Sequence, residues 1–314
     1  MTNILALYPK GRVTLRELGL RDGLQMTSSW PGTAAKLEWI ERACRAGVRN
    51  IEIGSFLPEA RFPQFADVRQ LIDRVDGIPD AFSSALTLNE RAVDDALATA
   101  VSEIVVVVSA TEAHSRSNVN RSRESAIELL RYARARRDAI GSGPVISVAV
   151  SVAFGCPFEG NVEPESVMRV VDRCLGAGAE VISLADTVGV AGPRQIAELL
   201  GLVNPRVGDV PVVIHLHDTR GTGIANAYAA LDAGIRVLDG TIGGLGGCPF
   251  APGATGNVVF EDLVYLCERS GFSTGIDLDR LIGFRSILER EMPGENLFGA
   301  IARAGTPDSI SWKV

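Results

Sequence analysis

The chain has 314 residues, 46% of them hydrophobic and 22% charged, with 33 glycines, a balance that suits a globular fold with many strand-to-helix turns. Its formal net charge of −7 argues against general nucleic-acid binding, although a local basic patch can still meet a phosphorylated ligand. Five scattered cysteines, Cys44, Cys156, Cys174, Cys248 and Cys267, match no zinc or disulfide framework; with no apolar run of membrane length and no secretory leader pattern, a cytoplasmic protein without membrane association is expected.

From the N-terminus, apolar runs alternate with amphipathic segments. Strand-like runs fall at 13–18, 50–55, 81–86, 103–108, 145–153, 181–185, 210–217 and 237–242. Helical patterns lie between them at 34–46, 65–75, 90–100, 125–140, 166–177, 194–203 and 224–233, with another near 261–270, and several close on a glycine such as Gly47, Gly178 or Gly234. Eight such units predict an α/β fold, the (β/α)8 TIM barrel, as one catalytic domain over residues 1–314. Within it, residues 276–314 are a C-terminal helical extension, whose segment 277–292 reads as one more helix. A doubly wound sheet would need a glycine-rich phosphate turn after the first strand, and Gly19-Leu20-Arg21-Asp22-Gly23 is not one.

In a barrel the strand ends share one mouth, and polar residues collect there: Arg21 and Asp22, Glu52 and Ser55, Ser183 and Asp186, His215 and His217. Two histidines one residue apart on a strand face the same way, so His215 and His217 form a candidate metal pair rather than satisfied core imidazoles. With Asp and Asn oxygens they suit a six-coordinate Mg2+ or Mn2+ better than zinc, which favours four nitrogen or sulfur ligands. Arg21 and Asp22 taken alone also fit a surface ion pair. The run Gly243-Gly244-Leu245-Gly246-Gly247-Cys248-Pro249 reads as a mobile lid carrying one thiol, whose bland alternative is an incidental small residue.

Six segments then resemble the 3-hydroxy-3-methylglutaryl-CoA lyases of the metal-dependent lyase and acyl-transferase barrel superfamily, and the likeness covers nearly the whole chain. They are Arg21-Asp22-Gly23-Leu24-Gln25, Ile51-Glu52-Ile53-Gly54-Ser55-Phe56, Cys156-Pro157-Phe158-Glu159-Gly160, Ser183-Leu184-Ala185-Asp186-Thr187, His215-Leu216-His217-Asp218-Thr219, and Gly244 to Ala251 with Gly256-Asn257. The resemblance implies a carbon–carbon lyase that cleaves 3-hydroxy-3-methylglutaryl-CoA, or a close 3-hydroxyacyl-CoA analogue, to acetyl-CoA and a 3-keto acid such as acetoacetate, in leucine catabolism and ketone body formation. It implies Asp22, His215, His217 and Asn257 as ligands of a divalent cation. Arg21 is placed beside the thioester carbonyl and Cys248 on the catalytic loop. Glu52 and Asp186 are expected to orient Arg21 and the metal shell, with Glu261 in a similar role. Gln25, Ser55, Ser183 and Thr187 join Arg21 in substrate binding, and a homodimer is the expected assembly.

The chemistry agrees with those roles: the C3 hydroxyl proton goes to Asp22 or His215, and the enolate is protonated by Cys248 or a water it positions. Four positions depart from the family pattern, Arg220, Ala185, Met26 and Thr27, and they are expected to line the mouth and to allow a different C3 substituent. The basic stretch 116–123 can meet CoA phosphates or form a solvated loop. A condensing synthase or keto-acid aldolase is the first alternative, disfavoured by Leu24 and the Gly-Gly-Cys-Pro loop. A non-catalytic metal or CoA binder is the second, disfavoured because Arg21, Asp22, His215, His217 and Cys248 are all present.

Overall fold

In the computed structural model, which describes residues 3–246, 255–307 and 312, the eight apolar runs become eight parallel strands. They are β1 (Thr14–Glu17), β2 (Asn50–Ser55), β3 (Phe82–Thr87), β4 (Glu103–Ser109), β5 (Val145–Ser151), β6 (Val181–Asp186), β7 (Val212–Leu216) and β8 (Val237–Gly240). They pair in sequence order and close where Thr14 to Glu17 run beside Val237 to Gly240. Helix α1 (Ile4–Leu7) precedes the barrel. The return helices are α2 (Thr33–Arg45), α3 (Val68–Asp76), α4 (Glu90–Leu97), α5 (Glu112–Val119), α6 (Arg123–Ile140), α7 (Pro164–Gly176), α8 (Pro193–Val207), α9 (Gly223–Asp232) and α10 (Phe260–Arg269). None of the described helices is long and apolar enough to cross a membrane.

The outward strand residues, such as Ile104, Val106, Ile146, Val148, Ile182, Leu184 and Ile214, are buried beneath the helices, while their neighbours point into the barrel. Burial on both faces is why the strands read as unbroken apolar runs. At the floor, Leu7 and Tyr8 cap the N-terminal ends of four strands, packing with Val145, Val181, Val213 and Val237.

Some boundaries differ from expectation. β5 stops at Ser151 because Val152 turns to φ 53, a conformation that a β-branched residue rarely adopts. β8 ends at Gly240, and Ile242–Gly244 form one tight 3-10 turn instead of a strand end. The 277–292 segment is two helices, α11 (Leu278–Phe284) and α12 (Ser286–Glu291), and α13 (Ala300–Ala304) follows. The first two rest on α2, where Phe284 meets the Trp39 ring edge-on at 5.2 Å. The third is held at its start by Asp262 of α10, which accepts from the Ala300 and Ile301 amides at 2.9 Å.

Candidate active site at the barrel mouth

The carboxyl ends of the strands surround a cavity of about 330 Å3 whose wall includes Arg21, Asp22, Gln25, Glu52, His215 and His217. Ser183 and Thr187 line it too, and Thr187 Oγ1 also accepts from the Val152 amide at 2.8 Å. Opposite the histidines the wall is apolar, made by Leu86 of β3, Val105 and Val107 of β4, and Ala149 of β5.

Between β1 and α2 the chain makes one π turn over Gly19–Gly23, which sets Arg21 and Asp22 side by side at the rim. Glycine is required at its start, because a Cβ on Gly19 would fall 2.4 Å from the Trp39 ring and 2.5 Å from Glu17 Oε1. The guanidinium is fixed by three acceptors: Nε donates to Glu52 Oε2 at 2.8 Å, and Nη1 donates to Asp22 Oδ1 at 2.6 Å and Gln25 Oε1 at 3.2 Å. Its Nη2 takes no partner among the described residues. One edge of a rigid, permanently charged fork is therefore left for an anionic oxygen.

The two carboxylates around Arg21 differ in character. Burial would raise Asp22, but the Arg21 charge and then the two imidazoles hold its carboxyl well below the usual range, so it stays ionised. For Glu52 burial outweighs the same guanidinium, and its pKa is pushed up. A register shift between Glu52 and Gly54 puts both Glu52 and Ser55 on the inner face, beside Ser84 and Leu86. Ser55 nevertheless falls short of the cavity surface, and its buried hydroxyl has no partner among the described residues.

His215 lies on β7 and His217 just beyond it, where an antiparallel bridge to Asn257 ties the strand end to the segment before α10. Their Nε2 atoms stand 3.8 and 3.7 Å from Asp22 Oδ2, and the three donor atoms lie within 4.8 Å of one another. Asn257 donates through Nδ2 to Asp22 Oδ2 at 2.8 Å and to Leu245 O at 3.2 Å, while its buried Oδ1 has no partner among the described residues. A buried carbonyl oxygen without a donor, beside an ionised carboxylate and two imidazoles, fits the donor set of a divalent cation.

The structure corrects several expectations. Asp186 makes no hydrogen bond to Arg21; its oxygens accept from the Val190 and Ala191 amides at 2.9 and 3.0 Å and brace the turn after β6, within electrostatic range of His217 and His215. Glu261 makes no hydrogen bond to Arg21 either, accepting from the Gly243 amide at 3.0 Å and from Arg285 at 2.8 Å, so it anchors the loop after β8. That loop is packed through its described part: residues 242–246 are buried, and Gly246, at φ +102, has no room for a Cβ, which would lie 2.9 Å from Asn257 Nδ2 and 3.0 Å from Asp22 O. Cys248 lies outside the described residues. Arg220 does not line the cavity; it donates to the Val188 and Gly189 carbonyls at 2.8 and 3.0 Å. Ala185 and Met26 do line it, but Thr27 does not; its hydroxyl donates to the Leu24 carbonyl at 3.2 Å. The basic stretch is helical to Val119 instead of a loop, and Arg116 and Arg123 both pair with Glu112, at 2.9 and 3.5 Å.

Two site residues escaped the sequence reading. Asp239 of β8 sits 3.2 Å from His215 Nδ1 through Oδ2. Its only sequence signal is one acid inside the apolar run Val237-Leu238-Asp239. His114, on α5, lines the cavity; its Nδ1 pairs with Ser109 Oγ at 2.8 Å, and burial lowers its pKa, keeping the ring neutral near neutral pH.

The chain is similar to known proteins over most of its length. A family model described as HMGL-like matches residues 12–288. The chain is 38% identical over 297 residues to the hydroxymethylglutaryl-CoA lyase YngG of Bacillus subtilis, covering 92% of this chain and 97% of that one. It is 42% identical over 305 residues to an (R)-citramalyl-CoA lyase of Chloroflexus aurantiacus, covering 93% and 95%. An HMG-CoA lyase structure from Acinetobacter baumannii, in complex with coenzyme A and 3-methylmalate, superposes with a TM-score of 0.87 at 32% identity, covering 99% of each chain.

Proposed function

Because this chain belongs to the HMGL-like family and is a carbon–carbon lyase, we propose that it cleaves 3-hydroxy-3-methylglutaryl-CoA, or a close 3-hydroxyacyl-CoA analogue, to acetyl-CoA and a keto acid such as acetoacetate. The observation that carries this reading is the adjacency of a rigid Arg21 edge to the Asp22, His215, His217 and Asn257 donor set. Cleavage needs a base for the C3 hydroxyl proton; as the O–H electron pair forms the ketone, the C2–C3 bond breaks and its electrons pass into a thioester enolate. Asp22 or His215 takes that proton. Arg21 Nη2 places fixed positive charge where the enolate oxygen develops. A proton returned to C2 completes acetyl-CoA, and Cys248 or a water it positions is the proposed donor.

Asp22, His215, His217 and Asn257 are the residues that would hold Mg2+ or Mn2+, which when bound would acidify the substrate hydroxyl and orient the substrate. Gln25, Ser183 and Thr187 on the wall are the proposed substrate contacts. The apolar patch of Leu86, Val105, Val107 and Ala149 offers space for the C3 substituent, so both relatives' substrates belong in the test. A cytoplasmic homodimer acting in leucine breakdown or ketone body formation is the proposed setting.

The test is acetyl-CoA release from a panel of 3-hydroxyacyl-CoA thioesters, including hydroxymethylglutaryl-CoA and citramalyl-CoA, with Mg2+ or Mn2+ supplied. Turnover of one of them by wild type, lost in Arg21→Ala, is the expected result. Absence of acetyl-CoA from every thioester would overturn the reading.

A further inference from the structure

The barrel interior beneath the histidines is charged, although side chains such as Val, Ile and Leu usually fill that space. Tyr8, just after α1 at the floor, donates its hydroxyl to Glu103 of β4. Arg16 of β1 sends Nη1 to the Tyr8 hydroxyl at 3.2 Å and to Glu103 Oε1 at 3.4 Å. Its Nε and Nη2 grip Asp239 Oδ1 and Oδ2 at 2.6 and 2.8 Å, the two-pronged geometry that only guanidinium provides. Asp239 Oδ2 then meets His215 Nδ1 at 3.2 Å. Tyr8, Glu103, Arg16 and Asp239 are 5%, 2%, 6% and 3% exposed.

Replacing a buried ionic cluster with apolar side chains is often neutral or stabilising, so stability alone does not account for this one. Its formal charges, one positive and two negative, leave one net negative charge under the His215 ring. Its direction is also defined. Burial pushes the Tyr8 phenol well above its ordinary pKa, so it remains a donor to Glu103. Asp239 receives both prongs of the Arg16 fork, so the oxygen it turns to His215 Nδ1 is an acceptor.

We propose that Tyr8, Glu103, Arg16 and Asp239 form a positioning strut along the barrel axis. The strut holds His215 as the Nδ1–H tautomer with Nε2 turned to Asp22, so the donor set at the mouth depends on a hydroxyl at the opposite end of the barrel. The cation part of this inference rests on the proposed function; the tautomer part does not. Losing the carboxylate behind a ligating histidine typically costs about 10- to 100-fold in metal affinity. Removing the Tyr8 hydroxyl leaves the Arg16 grip on Asp239 in place, so its effect should be smaller, about two- to threefold.

The test uses the metal-free full chain labelled with 15N-histidine, where three histidines keep the spectrum assignable, followed by Mn2+ titration read by electron paramagnetic resonance. Wild type should show His215 protonated on Nδ1. Asp239→Asn should redistribute the tautomers and weaken Mn2+ by about 10- to 100-fold, and Tyr8→Phe should move both readouts the same way by less. Unchanged His215 shifts in Asp239→Asn overturn the strut. If that variant does not fold, Tyr8→Phe decides alone, since it removes one oxygen and leaves the packing: unchanged His215 shifts overturn the proposal, and shifted ones support it. Failure of wild type to bind Mn2+ overturns the cation reading, while the tautomer measurement still decides the strut.

Discussion

Arg21 donates through Nε to Glu52 at 2.8 Å, so the guanidinium at the mouth is held from the side and its remaining edge has one direction. A lysine at this position supplies charge but neither the Nε anchor nor the planar fork. Arg21→Lys is therefore expected to be nearly as harmful as Arg21→Ala, with turnover falling about 10²- to 10³-fold for the lost donor. Glu52→Gln should give an intermediate loss, because its amide keeps only one acceptor oxygen. A loss under about tenfold in the lysine variant, measured as kcat on the best thioester, would show that charge alone is enough.

Chelation should abolish turnover, and Mg2+ or Mn2+ should restore it. His217→Ala is expected mainly to weaken metal affinity, whereas His215→Ala should also lower the rate at saturating metal, because its imidazole is also a candidate base. Equal rescue of both variants by excess metal would refute the distinction. Full activity with a site shown empty by metal analysis would refute the cation.

Gly246 gives a check that alters no proposed ligand. A methyl group there would press on Asn257 Nδ2 at 2.9 Å and on the Asp22 backbone at 3.0 Å, at a φ of +102 that alanine resists. Gly246→Ala should weaken metal binding at least as much as it lowers thermal stability. A variant that binds Mn2+ like wild type, by calorimetry, would show that Asn257 and Asp22 are not held by this close approach.

These predictions rest partly on features the sequence shows and partly on ones it hides. The eight strands are legible because both faces are buried, and the same burial hides which residues face inward: Val105 and Val106 look alike in the run, yet only Val105 lines the cavity. His215 and His217 are legible because a period of two is decisive for paired ligands. Asp239 is not, since its partner Arg16 lies 223 residues away and only barrel closure brings β8 beside β1. Helix α5 lacks an apolar stripe; it is supported by the Glu112–Arg116 pair one turn apart and by burial of His114 and Ser115.

Cys248 lies two residues beyond Gly246, whose backbone abuts Asp22, so the chain enters that segment beside the site. A thiol-alkylating reagent should inactivate the enzyme, and bound substrate analogue with metal should protect it. Cys248→Ser should keep metal and CoA binding but lose most turnover, because a hydroxyl is a far weaker acid than a thiol near neutral pH. Near-normal turnover in the serine variant would leave water or a carboxylate as the proton donor.

Glu17 sets a pH dependence of stability separate from the chemistry. It is fully buried and accepts from the Gly19 amide at 2.8 Å, Trp39 Nε1 at 3.1 Å and the Ile242 amide at 3.2 Å, joining the Arg21 turn to the loop after β8. Those donors favour the carboxylate, but burial outweighs them, and its pKa is pushed up from 4.5 to about 7. The folded protein thus binds this proton more tightly than the unfolded chain. Its contribution is complete below pH 4.5 and is lost as pH rises through about 7. The shift corresponds to about 3 kcal/mol at full loss. Glu17→Gln cannot titrate, so its stability deficit relative to wild type should shrink as pH rises from about 5 to 8, in urea unfolding at constant salt. A deficit that stays constant across that range would show that Glu17 is already ionised in the fold and that its three donors, not burial, decide its charge.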